Sequence, residues 1–135
     1  AAEEDYVLGA IGWASTKKLP ILIVVEDNNL SILTKKNVRR NWEMPQVAKA
    51  FKMNGFNLDD NPKNIYKYSK YFFKRPCLLN INTNRIYWHA GAGKDSERTF
   101  DRYKFEKKNL GSAAKFIDLK TKKLVKDLWQ KRLEK

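Results

Sequence analysis

Cysteine and histidine are almost absent from this 135-residue chain, which has one of each, Cys77 and His89. A lone cysteine forms no internal disulfide, so the expected setting is reducing and cytoplasmic. One Cys and one His also leave too few ligands for a zinc centre built from this chain alone. Only 6 glycines and 4 prolines are present, and no repeat, low-complexity tract or Gly/Ser/Pro linker appears. No apolar run approaches the ~20 residues that cross a bilayer. The longest, Pro20 to Val25, has the length of a strand. The first residues, Ala1-Ala-Glu-Glu-Asp5, are acidic, so a secretory signal is not expected.

What is present is a core and a charge. Hydrophobic residues make up 42% and aromatics 13%, too many for a disordered chain, and the length suits a single domain over 1–135. Lys and Arg number 28 against 15 Asp and Glu, a formal net charge of +13. Such an excess points toward nucleic acid. Its distribution points to a solvated lysine-rich surface instead. Residues 1–93 carry 14 basic and 8 acidic side chains and residues 94–135 carry 14 and 7, mostly interleaved.

Helix and strand signals alternate along the chain. Glu3 to about Leu19 reads as a helix, with Tyr6, Ala10, Ile11 and Ala14 on one face. Pro20 ends it, and Ile21 to Val25 has the aliphatic run of a strand buried on both faces. Glu26-Asp-Asn-Asn29 stops that strand, and Ser31 to Trp42 reads as polar loop. Pro45 to about Met53 predicts a helix with Pro in its first turn, and Gly55 to Leu58 a short strand. Asn61-Pro62 is an N-cap followed by a first-turn proline, opening a helix to about Lys74. Cys77 to Thr83 is the next strand. Trp88 to Asp95 is a glycine-rich loop. From about Lys115 the tail is an amphipathic helix with Leu124, Val125, Leu128, Trp129 and Leu133 on one face.

This alternation predicts an α/β domain of three layers. Its parallel sheet would have Ile21–Val25 and Cys77–Thr83 as central strands. Ligands of such sheets sit beyond the carboxyl ends of the strands. Topology therefore nominates Glu26 to Asn29 and Arg85 to Gly93 as sides of one site.

The residues of these two segments carry a resemblance. Gly12 to Asn29, with Lys18-Leu-Pro20, the buried strand and Glu26-Asp-Asn28, resembles the thiamine diphosphate-dependent 2-oxoacid dehydrogenases. It is similar to the alpha subunit of their decarboxylating component, of the pyruvate, branched-chain 2-oxoacid or acetoin type. Members have Gly-Asp-Gly-Ala-Ala, then Lys-Leu-Pro, a strand and Glu-Asn-Asn. Ala1-Ala2 match the two alanines, so the metal-binding aspartate of Gly-Asp-Gly lies outside this sequence. The resemblance implies that Asn28, by its side chain, and Leu30, by its carbonyl, hold Mg2+. Asp27 replaces the usual first Asn and leaves the choice between Asp27 and Asn28 open. Further on, Pro76 to His89 is similar to the strand and Arg-x-x-x-His loop of the family, which places Arg85 and His89 near the diphosphate and the reacting carbon. Ala90 stands where mitochondrial members often carry a phosphorylated serine.

The implied fold is a partial thiamine diphosphate-binding fold. The implied site has His89 as the catalytic residue, Ala1, Asn28, Arg85 and His89 at the cofactor, and Asn28 and Leu30 at the metal. The implied activity is oxidative decarboxylation of a 2-oxoacid with acyl transfer to lipoyl. The implied partners are a beta subunit or beta-type domain and the lipoyl acyltransferase, with self-association of the chain, no specific nucleic acid and no membrane.

Read without the resemblance, the same residues are plainer. Asp27-Asn-Asn29 is turn chemistry, and Arg85 is a surface ion-pair partner. Lys35-Lys-Asn-Val-Arg-Arg40 looks like a phosphate patch, with a solvated loop as the simpler reading. Tyr66, Tyr68, Tyr71, Phe72 and Phe73 belong to core or interface by their helical spacing. The alternatives to an enzyme are a basic nucleic-acid-binding module and a noncatalytic domain that kept the fold.

Overall fold

Three strands of near-continuous aliphatic or mixed sequence form the centre of the molecule. The computed structural model describes residues 1–71, 73–90, 93 and 100–134. It divides the chain into two compact units, 1–99 and 100–135, where the sequence suggests one domain.

In the first unit, α1 (Asp5–Thr16) leads into β1 (Leu22–Asp27), then a two-residue-per-arm hairpin of β2 (Leu30–Ser31) and β3 (Thr34–Lys35). A single turn, α2 (Lys36–Arg39), and α3 (Met44–Ala50) precede β4 (Asn54–Asp59). Then come α4 (Pro62–Lys67), a 3-10 turn (Ser69–Tyr71) and β5 (Cys77–Asn82). The mixed α/β fold has a parallel three-stranded sheet in the order β1-β5-β4, as the alternation of elements requires. Local chemistry sets the helix starts. Glu43 and Gln46 form a reciprocal capping box at α3, with Pro45 in its first turn. The Asn61 side chain accepts the Lys63 N–H at 3.0 Å at the head of α4.

Alternation along β5 divides the core. Leu78 faces α1 and α3 and packs with Ile11, Met44, Ala48 and Met53. Leu79 faces the other side with Cys77, Ile81 and Leu58, against Ile65, Tyr68 and Tyr71. Phe56 of β4 stacks on Tyr68 and Tyr71, with centroids at 4.7 and 5.0 Å.

Four expectations are corrected. Among the described residues only β5 is central; β1 is an edge strand, with Leu22 packed against the Leu58, Cys77, Leu79 and Ile81 cluster but Val24 left 49% exposed. The stretch 31–42 is a hairpin and a helical turn rather than loop. The helix from Pro62 ends at Lys67 and tightens into the 3-10 turn instead of running to Lys74. On α1 the inward residues are Val7, Leu8, Ile11 and Ala14, while Tyr6 and Ala10 are exposed. Of the tyrosine-rich cluster, Tyr66 and Phe73 are exposed, and Phe72 lies outside the described residues.

The second unit is a helix pair, α5 (Arg102–Leu110) and α6 (Ser112–Leu133), joined at Gly111, whose φ of 55° is one that glycine adopts without strain. Among its described residues only Ala114 is buried. Asp118 ties the pair together, accepting from Lys107 Nζ at 2.6 Å, the Tyr103 hydroxyl at 2.9 Å and Lys122 Nζ at 3.2 Å. These hydrogen bonds, Lys107 foremost, hold its carboxyl well below the usual carboxylate range.

Candidate functional site

Where β1 ends, two Asx turns redirect the chain. Asp27 Oδ1 accepts the Asn29 N–H at 2.9 Å, and Asn28 Oδ1 accepts the Leu30 N–H at 3.0 Å. Asn29 adopts a φ of 63°, a left-handed conformation that Asn tolerates better than most residues. The turn aims the two side chains apart. Asp27 is turned inward and almost buried: its Oδ2 meets Lys36 Nζ at 2.7 Å, Asn80 Nδ2 at 3.4 Å and an Arg40 terminal nitrogen at 3.6 Å. Burial alone would raise its pKa, but the hydrogen bonds from Lys36, the Asn29 N–H and Asn80 outweigh that and hold it below the ordinary value. Burial likewise disfavours the Lys36 ammonium, and the contacts to Asp27 and Glu43 more than compensate, raising its pKa. Asp27 is therefore already neutralised, and Asn28 is the one that faces open space.

That space is a cavity of about 470 Å³ along the outer edge of β1. All five positions that the sequence reading nominates, Ala1, Asn28, Leu30, Arg85 and His89, line it. Arg85 donates to the Ile32 carbonyl at 2.7 Å, which holds the β2–β3 hairpin against the segment that follows β5. The Thr83 N–H donates to the Asp27 carbonyl at 2.9 Å and continues the β1–β5 pairing into that segment. His89 is exposed, and the Trp88 N–H donates to the Gly93 carbonyl at 2.9 Å. Of the expected Trp88–Asp95 loop, residues 91, 92, 94 and 95 lie outside the described residues.

Sequence reasoning set Arg39 aside within the Lys35–Arg40 run and missed Glu3; the two share the cavity wall and form an ion pair. Arg40, with its side chain 4% exposed, reaches Glu3 and Asp27 at 3.4 and 3.6 Å and lies over the Trp42 ring at 4.6 Å. The run Lys35–Arg40 is thus not a solvated loop. Lys36, Arg39 and Arg40 bring their cations to Asp27, Glu3 and Glu43. The signal was available: positions 36, 39 and 40 are i, i+3 and i+4, which share one helical face.

The donor set can be tested against a magnesium diphosphate. Mg2+ takes hard oxygen ligands, and the Asn28 amide oxygen and Leu30 carbonyl are two such atoms, both neutral. Arg39 and Arg85 carry forked donors that match diphosphate oxygens, and Arg39 Nε is buried without a hydrogen-bond partner. The residues fit the anionic end of such a ligand, while the carboxylate that magnesium prefers has to come from another segment. Among the described residues no group of three or more His, Cys, Asp or Glu side chains could hold a metal unaided. Burial pushes the Cys77 thiol up in pKa, which keeps it a core residue and not a nucleophile. No helix among the described residues is long and apolar enough to cross a membrane. No family model, curated protein or solved structure matches the chain.

Proposed function

We propose that this chain is the carboxy-terminal part of the diphosphate-binding domain in the alpha subunit of a thiamine diphosphate-dependent 2-oxoacid dehydrogenase. The observation that supports the reading is convergence. Ala1, Asn28, Leu30, Arg85 and His89 come from three separate segments and line one cavity at the carboxyl end of a parallel strand. That is where α/β sheets bind ligands.

When bound, thiamine diphosphate supplies an electron sink for loss of carbon dioxide from a 2-oxoacid. The chain's own residues do the rest. Asn28, through its amide oxygen, and Leu30, through its carbonyl, hold Mg2+. Arg85, with Arg39, binds the diphosphate, and Ala1 borders the same cavity. His89 carries a proton on an imidazole nitrogen and offers it where negative charge develops on the substrate oxygen. Asp27 is a positioning residue, because its Oδ1 accepts the Asn29 N–H in the turn that presents Asn28 while Lys36 and Asn80 hold its Oδ2. A beta subunit or beta-type domain covers the remainder of the cofactor, and a lipoyl acyltransferase accepts the acyl group. The open edge of β1 favours self-association of the chain when those partners are absent.

Two neutral ligands hold magnesium poorly, so the isolated chain is expected to bind magnesium thiamine diphosphate only weakly by calorimetry and to decarboxylate nothing. Submicromolar binding by the isolated chain would remove this reading. In the enzyme assembled with the segment that supplies the missing carboxylate, His89→Ala is expected to lower kcat by about 10²- to 10⁴-fold with cofactor affinity nearly unchanged. Asn28→Ala is expected to abolish cofactor retention instead. Equal losses of affinity with an unchanged rate at saturation would take the proton-transfer role from His89.

A further inference from the structure

We infer that the opposite end of the sheet carries a second ligand site, for an organic phosphate bearing a flat aromatic group. It is independent of the reading above. A cavity of about 460 Å³ opens beneath the amino ends of β4 and β5, between the last turn of α1, the end of α3 and the Arg75-Pro76 segment. Its volume is that of a small-molecule pocket. Three cations line it, Lys18, Lys52 and Arg75, and no acid does. Among the described residues none of the three forms an ion pair.

Two helix carboxyl ends point toward this cavity, and their carbonyls would ordinarily repel an anion. Here those carbonyls are occupied. The Lys18 and Leu19 N–H groups donate to Ser15 and Ala14 at 3.0 Å, and the Lys52 and Met53 N–H groups to Lys49 and Ala48 at 2.8 and 2.9 Å. The Ser15 hydroxyl donates to the Phe51 carbonyl. These are paired Schellman closures, and the position that glycine normally fills is lysine in both, with φ of 51° and 59°. A left-handed lysine is less favourable than glycine there, yet it makes a cationic residue part of the cavity lining at both helix ends. The Phe51 ring, 41% exposed, and Pro76 and Met53 supply an apolar wall. The combination matches phosphate oxygens at the cations and a planar ring against Phe51.

The test uses ADP and inorganic pyrophosphate, without metal, as probes of the full chain by equilibrium titration. ADP is expected to bind about tenfold more tightly than pyrophosphate, because stacking adds to the phosphate contacts. Lys18→Gly/Lys52→Gly/Arg75→Gln is expected to weaken ADP by at least about tenfold, while its melting temperature stays the same or rises because two left-handed lysines are relieved. Phe51→Leu should bring ADP down to the pyrophosphate affinity. Lys63→Gln, on α4 and lining neither cavity, should change nothing. The site is overturned if ADP does not bind, if the triple variant binds it as the parent does, or if Lys63→Gln weakens binding as much as the triple variant does. Equal affinity for the two probes overturns the aromatic part of the ligand.

Discussion

The two ends of one parallel sheet treat their cations in opposite ways. At the carboxyl ends Lys36 and Arg40 are drawn in by Asp27, Glu3 and Glu43, and the Arg40 side chain is 4% exposed. At the amino ends Lys18, Lys52 and Arg75 surround a cavity that no acid lines. A formal charge of +13 therefore describes neither end. Charge has to be read against what each side chain faces, because a buried cation is tied to its partner whereas an exposed one is available to a ligand.

The strongest way to break the contrast is Asp27→Ala, which removes the acceptor shared by Lys36, Arg40 and Asn80. Leaving those cations buried without it should cost about 3–5 kcal/mol in a urea titration. Arg75→Ala at the other end should stay within about 0.5 kcal/mol. Comparable losses at both would erase the distinction.

A smaller effect sharpens it. The amino end is open to charge but closed to volume where α3 meets β4. A Cβ on Gly55 would lie 2.6 Å from the Pro45 carbonyl oxygen and 2.9 Å from Ala48 Cβ. Gly55→Ala should then cost about 1–3 kcal/mol. Gly9→Ala, on α1 with nothing within 4 Å of the new methyl, should instead stabilise by about 0.5–1 kcal/mol. Differential scanning calorimetry on the pair decides it, and a Gly55→Ala variant as stable as the parent would show that α3 can slide.

The mildest test is pH. The pKa of Asp27 is depressed in the fold, so its contribution is complete above the ordinary value of about 3.9 and is lost as pH falls below it. Lys36 is shifted upward, so its contribution is complete below about 10.4 and is lost as pH rises beyond that. Denaturant midpoints should decline at both extremes in the parent. In Asp27→Asn the acid decline should be shallower, and an identical acid profile would mean that other carboxylates dominate.

Periodicity and punctuation made most of this fold legible. The Cys77 run and the Asn61-Pro62 start were readable because each local signal agrees with its surroundings: five consecutive residues of β5 are buried, and the cap bond at Asn61 forms. β1 misled because an aliphatic run records what could be covered on two faces, not what is; coverage depends on where distant helices pack. The hairpin and α2 were hidden for a different reason. They are held by long-range polar contacts, Arg85 to Ile32 and Lys36 to Asp27, which leave no hydrophobic period. In the candidate site, motif spacing located the lining positions Asn28, Arg85 and His89, while Arg39 and Glu3 required knowing that residues 36–39 turn as a helix.

Strand order has a consequence for how the chain acquires its shape. Among the described residues β5 is the last strand in the chain and the one that pairs with both β1 and β4. During synthesis β1 and β4 emerge before the strand that joins them, and in the folded sheet they do not pair with each other. Until β5 leaves the ribosome, Ile23, Val25 and Phe56 lack the strand that they flank in the folded sheet. Closure of these non-local contacts is intrinsically slow, so the interval before β5 emerges is when the nascent chain is most exposed to aggregation and chaperone capture.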